Sequence, residues 1–81
     1  MMFINKCMNG RNNVCGVTVA KLRKAEGISQ RELADRLQRN GLDVDKNAVQ
    51  RIESGQRFVT DIELIYLSNT LHVNLDELLS V

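Results

Sequence analysis

The sequence predicts an all-α domain of five short helices. Three observations lead there. The 81 residues contain no proline and only three aromatic side chains, Phe3, Phe58 and Tyr66, while the good helix formers Leu, Ala, Arg, Glu and Gln are plentiful. Apolar residues recur at helical spacing along most of the chain. Four helix starts each carry a capping residue flanked by a pair of apolar residues, the arrangement that fixes where a helix begins. Each such cap contributes about 0.5–2 kcal/mol, a useful share in a domain this small.

Residues 1–16 hold Asn5, Asn9, Gly10, Asn12, Asn13 and Gly16 and no sustained period. They read as a flexible N-terminal arm, with the folded domain spanning 17–81. Helix 1 is expected from Val17 or Thr18 to Glu26, with Val19, Leu22 and Ala25 inward and Gly27 as its stop. Ser29 and Glu32 form a capping box for helix 2, stapled by Ile28 and Leu33. Leu33, Ala34 and Leu37 make its buried edge, and Gly41 follows its end near Asn40. Asp45, between Val44 and Val49, caps helix 3 over residues 45–54, and Gly55 ends it. Thr60 and Glu63 make a second box, stapled by Val59 and Leu64, for helix 4 to about Leu71, with Leu64, Leu67, Ser68 and Leu71 inward. Asn74 caps a last short helix, with Glu77 three residues on and Val73 and Leu78 as the staple.

The bulk properties narrow the function. Net charge is +1, but all 11 Lys and Arg lie in residues 1–57 against 6 acids, net +5, and residues 58–81 carry 4 acids and no Lys or Arg. That asymmetry suits one face meeting an anion. No apolar run approaches the ~20 residues of a membrane span, and the start lacks the pattern of a signal peptide. A cytoplasmic protein without membrane association is expected. Cys7 and Cys15 lack metal-ligand spacing and read as free thiols. His72 is the single histidine and reads as a partly buried surface residue. No phosphate-binding loop, dinucleotide fingerprint, zinc-protease motif or nucleophile elbow occurs. Neither catalysis, nor a cofactor, nor a bound metal, nor a small-molecule substrate is expected.

The informative stretch is helix 3. Ala48, Val49 and Ile52 form its apolar edge, while Lys46, Asn47, Gln50 and Arg51 line the other side. Two cations and two amides with no acid are the side chains that touch phosphates and also read base edges. Taken alone, that stripe reads as the solvated face that any surface helix has. Its context favours a binding role, because two helices joined by a glycine-containing turn, with the polar stripe on the second, describe a helix-turn-helix.

Residues 22–34, LRKAEGISQRELA, then 49–55, VQRIESG, then 74–79, NLDELL, resemble the phage-repressor helix-turn-helix family, the lambda repressor/Cro-like or xenobiotic-response-element type. The resemblance covers about residues 17–80. It implies a compact five-helix fold with helices 2 and 3 as the DNA-binding pair, and a sequence-specific transcriptional regulator, usually a repressor, bound to double-stranded DNA as a homodimer. Lys46, Asn47, Gln50 and Arg51 match the base-reading positions; Arg51 suits guanine, and Asn47 or Gln50 suits adenine. Gln30, assisted by Ser29, matches a phosphate contact at a helix N-terminus, where the amides favour an anion. Gln56 and Arg57 match phosphate contacts in the loop after helix 3. Arg23 and Glu53 match an Arg–Glu pair that ties helix 1 to helix 3.

The link from Leu37 to Asp45 is longer than is usual in that family, and is expected to lengthen helix 2 by a turn and to widen the connection. Lys6 and Arg11 in the arm, and Arg39 at the end of helix 2, are further candidates for touching DNA. The alternative is a protein-interaction module on the same fold, an adaptor or antitoxin-like partner. Leu75, Leu78, Leu79 and Val81 make the C-terminal helix apolar enough to serve such a partner, to form the homodimer interface, or simply to cover the core.

Overall fold

The computed structural model describes residues 10–80. Among them are five helices and no strand: α1 Gly16–Ala25, α2 Gln30–Arg39, α3 Lys46–Ser54, α4 Asp61–Leu71 and α5 Leu75–Leu78. The four expected caps all form. Ser29, Asp45, Thr60 and Asn74 each accept from the backbone amide three residues on. Only Thr60 completes the reciprocal box, through Glu63 Oε1 accepting from the Thr60 amide at 3.0 Å. Glu32 turns away from Ser29, toward Arg36 at 3.5 Å and Arg39 at 3.9 Å. The box expected at α2 is therefore half formed, because two guanidiniums attract that carboxylate more than one amide does.

The core is built from one edge of each helix. Val19, Leu33, Ala34, Leu37, Val49, Ile52, Leu67, Leu71 and Leu78 are buried, joined by Cys15 and Val44 from the connections. Ala25, expected inward, is exposed, because α1 ends there and the chain turns away. Leu78 fills the core, while Leu75 and Leu79 on the same short helix remain exposed. His72 is exposed as well and closes α4 in the left-handed conformation at φ 59°.

The connection between α2 and α3 is tied down. The Leu42 amide donates to Leu37 O at 2.9 Å, the Val44 amide to Leu42 O at 3.0 Å, and Gln38 Nε2 to Val44 O at 2.7 Å. Burying Val44 inserts the link into the core, so its extra length is absorbed without loosening α3.

The expected arm differs over residues 10–16. From Arg11 onward the chain packs against the end of α3, Asn13 and Cys15 are buried, and α1 already begins at Gly16. Hydrogen-bonding side chains do this work, which is why no apolar period marked the segment. The arm's residues 1–9, with Lys6 and Cys7, lie outside the described residues, as does Val81. The Cys15 thiol is buried and donates to Asn13 Oδ1 at 4.0 Å.

Candidate nucleic-acid interface

Helix α3 places its polar stripe as the spacing requires. Val49 and Ile52 are buried and Ala48 is half-buried, so Lys46, Asn47, Gln50 and Arg51 point out and are exposed. The α3 ends are sharply defined. Asp45 Oδ1 accepts from the Ala48 amide at 2.8 Å, and Gly55 takes φ 84° to turn the chain at the other end. An L side chain at that φ is strained, and a Cβ would also meet the Arg11 side chain.

None of the four stripe side chains has a hydrogen bond or ion pair within the described residues, unlike most of the other arginines. Arg23 pairs with Glu53, Arg36 with Glu26 and Glu32, Arg39 with Glu32 and Arg57 with Glu63. Arg39 is thus engaged at the far end of α2. Arg31, in the first turn of α2, is exposed and unpartnered. It stands beside the stripe: one open groove is lined by Arg23, Ser29, Gln30, Arg31 and Lys46, and an adjoining one by Arg31, Asp35, Gln38, Asp45, Lys46 and Asn47. Sequence reasoning missed Arg31. The signal was there, in a cation next to the Ser29 cap of a helix whose N-terminal amides face the same side.

The residues expected to touch phosphate fall into two groups. Ser29 is exposed at the start of α2, with its hydroxyl oxygen accepting from the Glu32 amide. Gln30 is half-buried and donates Nε2 to Glu53 Oε1 at 3.0 Å. Gln56 is exposed beyond the far end of α3. Arg57 beside it donates Nη1 to Glu63 Oε2 at 2.9 Å, with about a third of its side chain open to solvent. Ser29, Gln30 and Arg31 line a groove with Lys46, Gln30 also reaches Glu53 in the last turn of α3, and Gln56 and Arg57 follow the C-terminal end of that helix.

Glu53 holds this arrangement together. Its carboxylate accepts from Arg23 Nε at 2.7 Å, Arg23 Nη2 at 3.1 Å and Gln30 Nε2 at 3.0 Å, so α1, α2 and α3 meet on one acid. Arg23 Nη1 also donates to Ile28 O at 2.8 Å, which fixes the turn before α2. The Arg23 guanidinium is held above its ordinary pKa, first by the hydrogen bond to Glu53, against the opposing effect of burial, with the Glu53 charge adding to the rise.

A helix-turn-helix family model matches residues 19–78, from the first turn of α1 to the end of α5. The chain belongs to the helix-turn-helix family. Among solved structures it is similar to the crystal structure of the restriction-modification controller protein C.AhdI from Aeromonas hydrophila. That protein is 32% identical, the likeness covers 78% of this chain and 88% of that one, and the TM-score is 0.68. No curated protein sequence matched. In this family member, α2 and α3 are the helix-turn-helix pair, and the grooves lined by Arg31 and Lys46 run along it.

Proposed function

We propose that the protein is a sequence-specific, double-stranded-DNA-binding transcriptional regulator that reads the major groove with α3. Helix-turn-helix membership and the likeness to a restriction-modification controller protein support a DNA-binding regulator. The observation that carries the finer reading is the exposed, unpartnered stripe Lys46, Asn47, Gln50 and Arg51. Charged and amide side chains left without partners on one helix face are free to meet an external lattice of charges and base edges. The dimensions agree. An α-helix with its side chains is about 10–12 Å across, which fits the major groove, about 12 Å wide. Ser29 and Gln30 at the start of α2, and Gln56 and Arg57 in the loop after α3, then face the two phosphate strands. Occupying the operator makes repression the simplest outcome.

The test is fluorescence anisotropy on duplexes selected from a random pool. Arg51→Ala should lower affinity for the selected site by ~1–3 kcal/mol and relax one base position. Equal losses on selected and random duplexes would remove Arg51 from the base-reading set.

The regulator is proposed to act as a homodimer, because two-fold proteins read half-sites about 34 Å apart. The C-terminal part supplies the surface: Ile62 and Ile65 lie one turn apart on α4, 62% and 51% exposed, with Phe58 just before them and Leu75 and Leu79 on α5. Exposed apolar groups of this size on adjoining helices favour burial against a partner. Ile62→Lys with Ile65→Lys should shift sedimentation from dimer to monomer and weaken operator binding. A wild-type chain that sediments as a monomer on its operator would instead direct these side chains to a different protein partner.

A further inference from the structure

Residues 11–13 form a clasp on the far end of α3. Arg11 Nη2 donates to Glu53 O at 2.6 Å. The Asn12 amide donates to Gly55 O and its Nδ2 to Gln56 O, each at 2.8 Å. Asn13 Nδ2 donates to both Ile52 O, at 3.1 Å, and Arg57 O, at 2.7 Å. Helix C-termini leave carbonyls that the helix itself cannot satisfy. Here a segment some forty residues earlier in the chain satisfies them, and continues past the helix to grip the loop at Gln56 and Arg57. Asn13 is the centre of the clasp. It is 7% exposed, and its Oδ1 accepts from the Gly16 amide at 2.8 Å, anchoring the segment to the start of α1.

We propose that Asn13 is a positioning residue for DNA binding, acting through the Ile52 and Arg57 carbonyls to hold the end of α3 and the loop of Gln56 and Arg57 in the geometry that meets phosphate. The inference rests on the DNA-binding reading above. Its physical content is preorganisation: a loop already fixed need not lose conformational freedom when DNA arrives. Arg57 is then held at both ends, its carbonyl by Asn13 and its guanidinium by Glu63.

The test compares Asn13→Ala, Asn13→Asp and Asn12→Ala with Thr70→Val, all in the full chain, by anisotropy on a random duplex across a salt series well below the melting temperature. Asn13→Asp keeps an acceptor for the Gly16 amide and removes the donor to the loop. Asn12→Ala removes only the bond to Gln56 O. Thr70→Val breaks a part-buried tie elsewhere, the 2.7 Å bond from Asn40 Nδ2 at the end of α2 to Thr70 on α4, and so controls for lost stability. Asn13→Ala and Asn13→Asp should each lower affinity about tenfold and flatten the salt slope by about one phosphate contact. Asn12→Ala should move both readouts in the same direction by less, and Thr70→Val neither. Should the Asn13 variants fail to fold, Asn12→Ala decides. A clasp variant that binds like wild type, or a slope that falls equally in Thr70→Val, overturns the positioning role. A wild-type chain that binds no duplex at low salt refutes the DNA-binding reading instead.

Discussion

Glu53→Ala should destabilise the domain by about 3 kcal/mol, the lower end of what removing one partner of a buried ion pair costs. The reason is what the acid leaves behind. Its side chain is 8% exposed and that of Arg23 12%, so neither group regains full hydration when the other is removed. Without the carboxylate, Arg23 keeps only the Ile28 carbonyl and Gln30 Nε2 loses its acceptor. In a domain of this size the loss corresponds to a fall in Tm of between about 12 and 24 °C. Thermal and urea unfolding followed by circular dichroism measure it. Glu53→Gln, which preserves an acceptor and removes the charge, should lose less. Arg23→Met combined with Glu53→Ala should recover part of the loss, since no buried cation is then stranded. A Glu53→Ala protein within about 1 kcal/mol of wild type would mean that water reaches Arg23 through the groove it lines. The Arg23 contribution has a definite pH sign. Its folded pKa is raised, so the stability it brings is complete below the ordinary guanidinium range and lost only above it. Neutral buffers leave it unchanged.

The fold was legible because its signals are local. A cap and its staple lie within a few residues, and helical period is a property of one segment, so α2, α3 and α4 fell close to their expected bounds. The α3 stripe was legible for the same reason: once Val49 and Ile52 face inward, Lys46, Asn47, Gln50 and Arg51 must face out. What could not be read was non-local. Asn13 lies 39 and 44 residues from the carbonyls it bonds, and no period relates them. Asparagine and glycine near a terminus carry the composition of a loose arm, and the same residues are the ones best able to satisfy helix-end carbonyls. Arg57 illustrates the complementary difficulty. Its position after Gly55 identifies it as a loop cation, but its pairing with Glu63 depends on how α4 returns beside it. The capping box at α2 was half right because Glu32 had a choice of partners, and the sequence does not rank them.

Gly16→Ala should destabilise the domain by roughly 2 kcal/mol, although helix propensity alone predicts the opposite. Gly16 opens α1, and alanine in a helix is favoured over glycine by about 0.5–1 kcal/mol. Against that stands a collision. A Cβ at Gly16 would overlap the Ile52 carbonyl oxygen and would lie 2.6 Å from Arg11 Nη2 and 2.8 Å from Asn13 Oδ1. Overpacking of this kind costs typically ~1–3 kcal/mol, and the upper part of that range applies because one of the atoms is backbone. A flexible side chain can step aside, whereas Ile52 O cannot move without carrying the end of α3 with it. Two variants separate these causes. Were Arg11 the obstacle, Arg11→Ala in the Gly16→Ala background would restore stability. Since the obstacle is the Ile52 carbonyl, the double variant should remain at least as unstable as Gly16→Ala. Thermal unfolding supplies the comparison, and a Gly16→Ala protein as stable as wild type would mean that α1 and α3 meet less closely than their backbones do here. The same displacement should lower DNA affinity in protein that is still folded, since the end of α3 that shifts is the one carrying Arg51 and leading to Gln56.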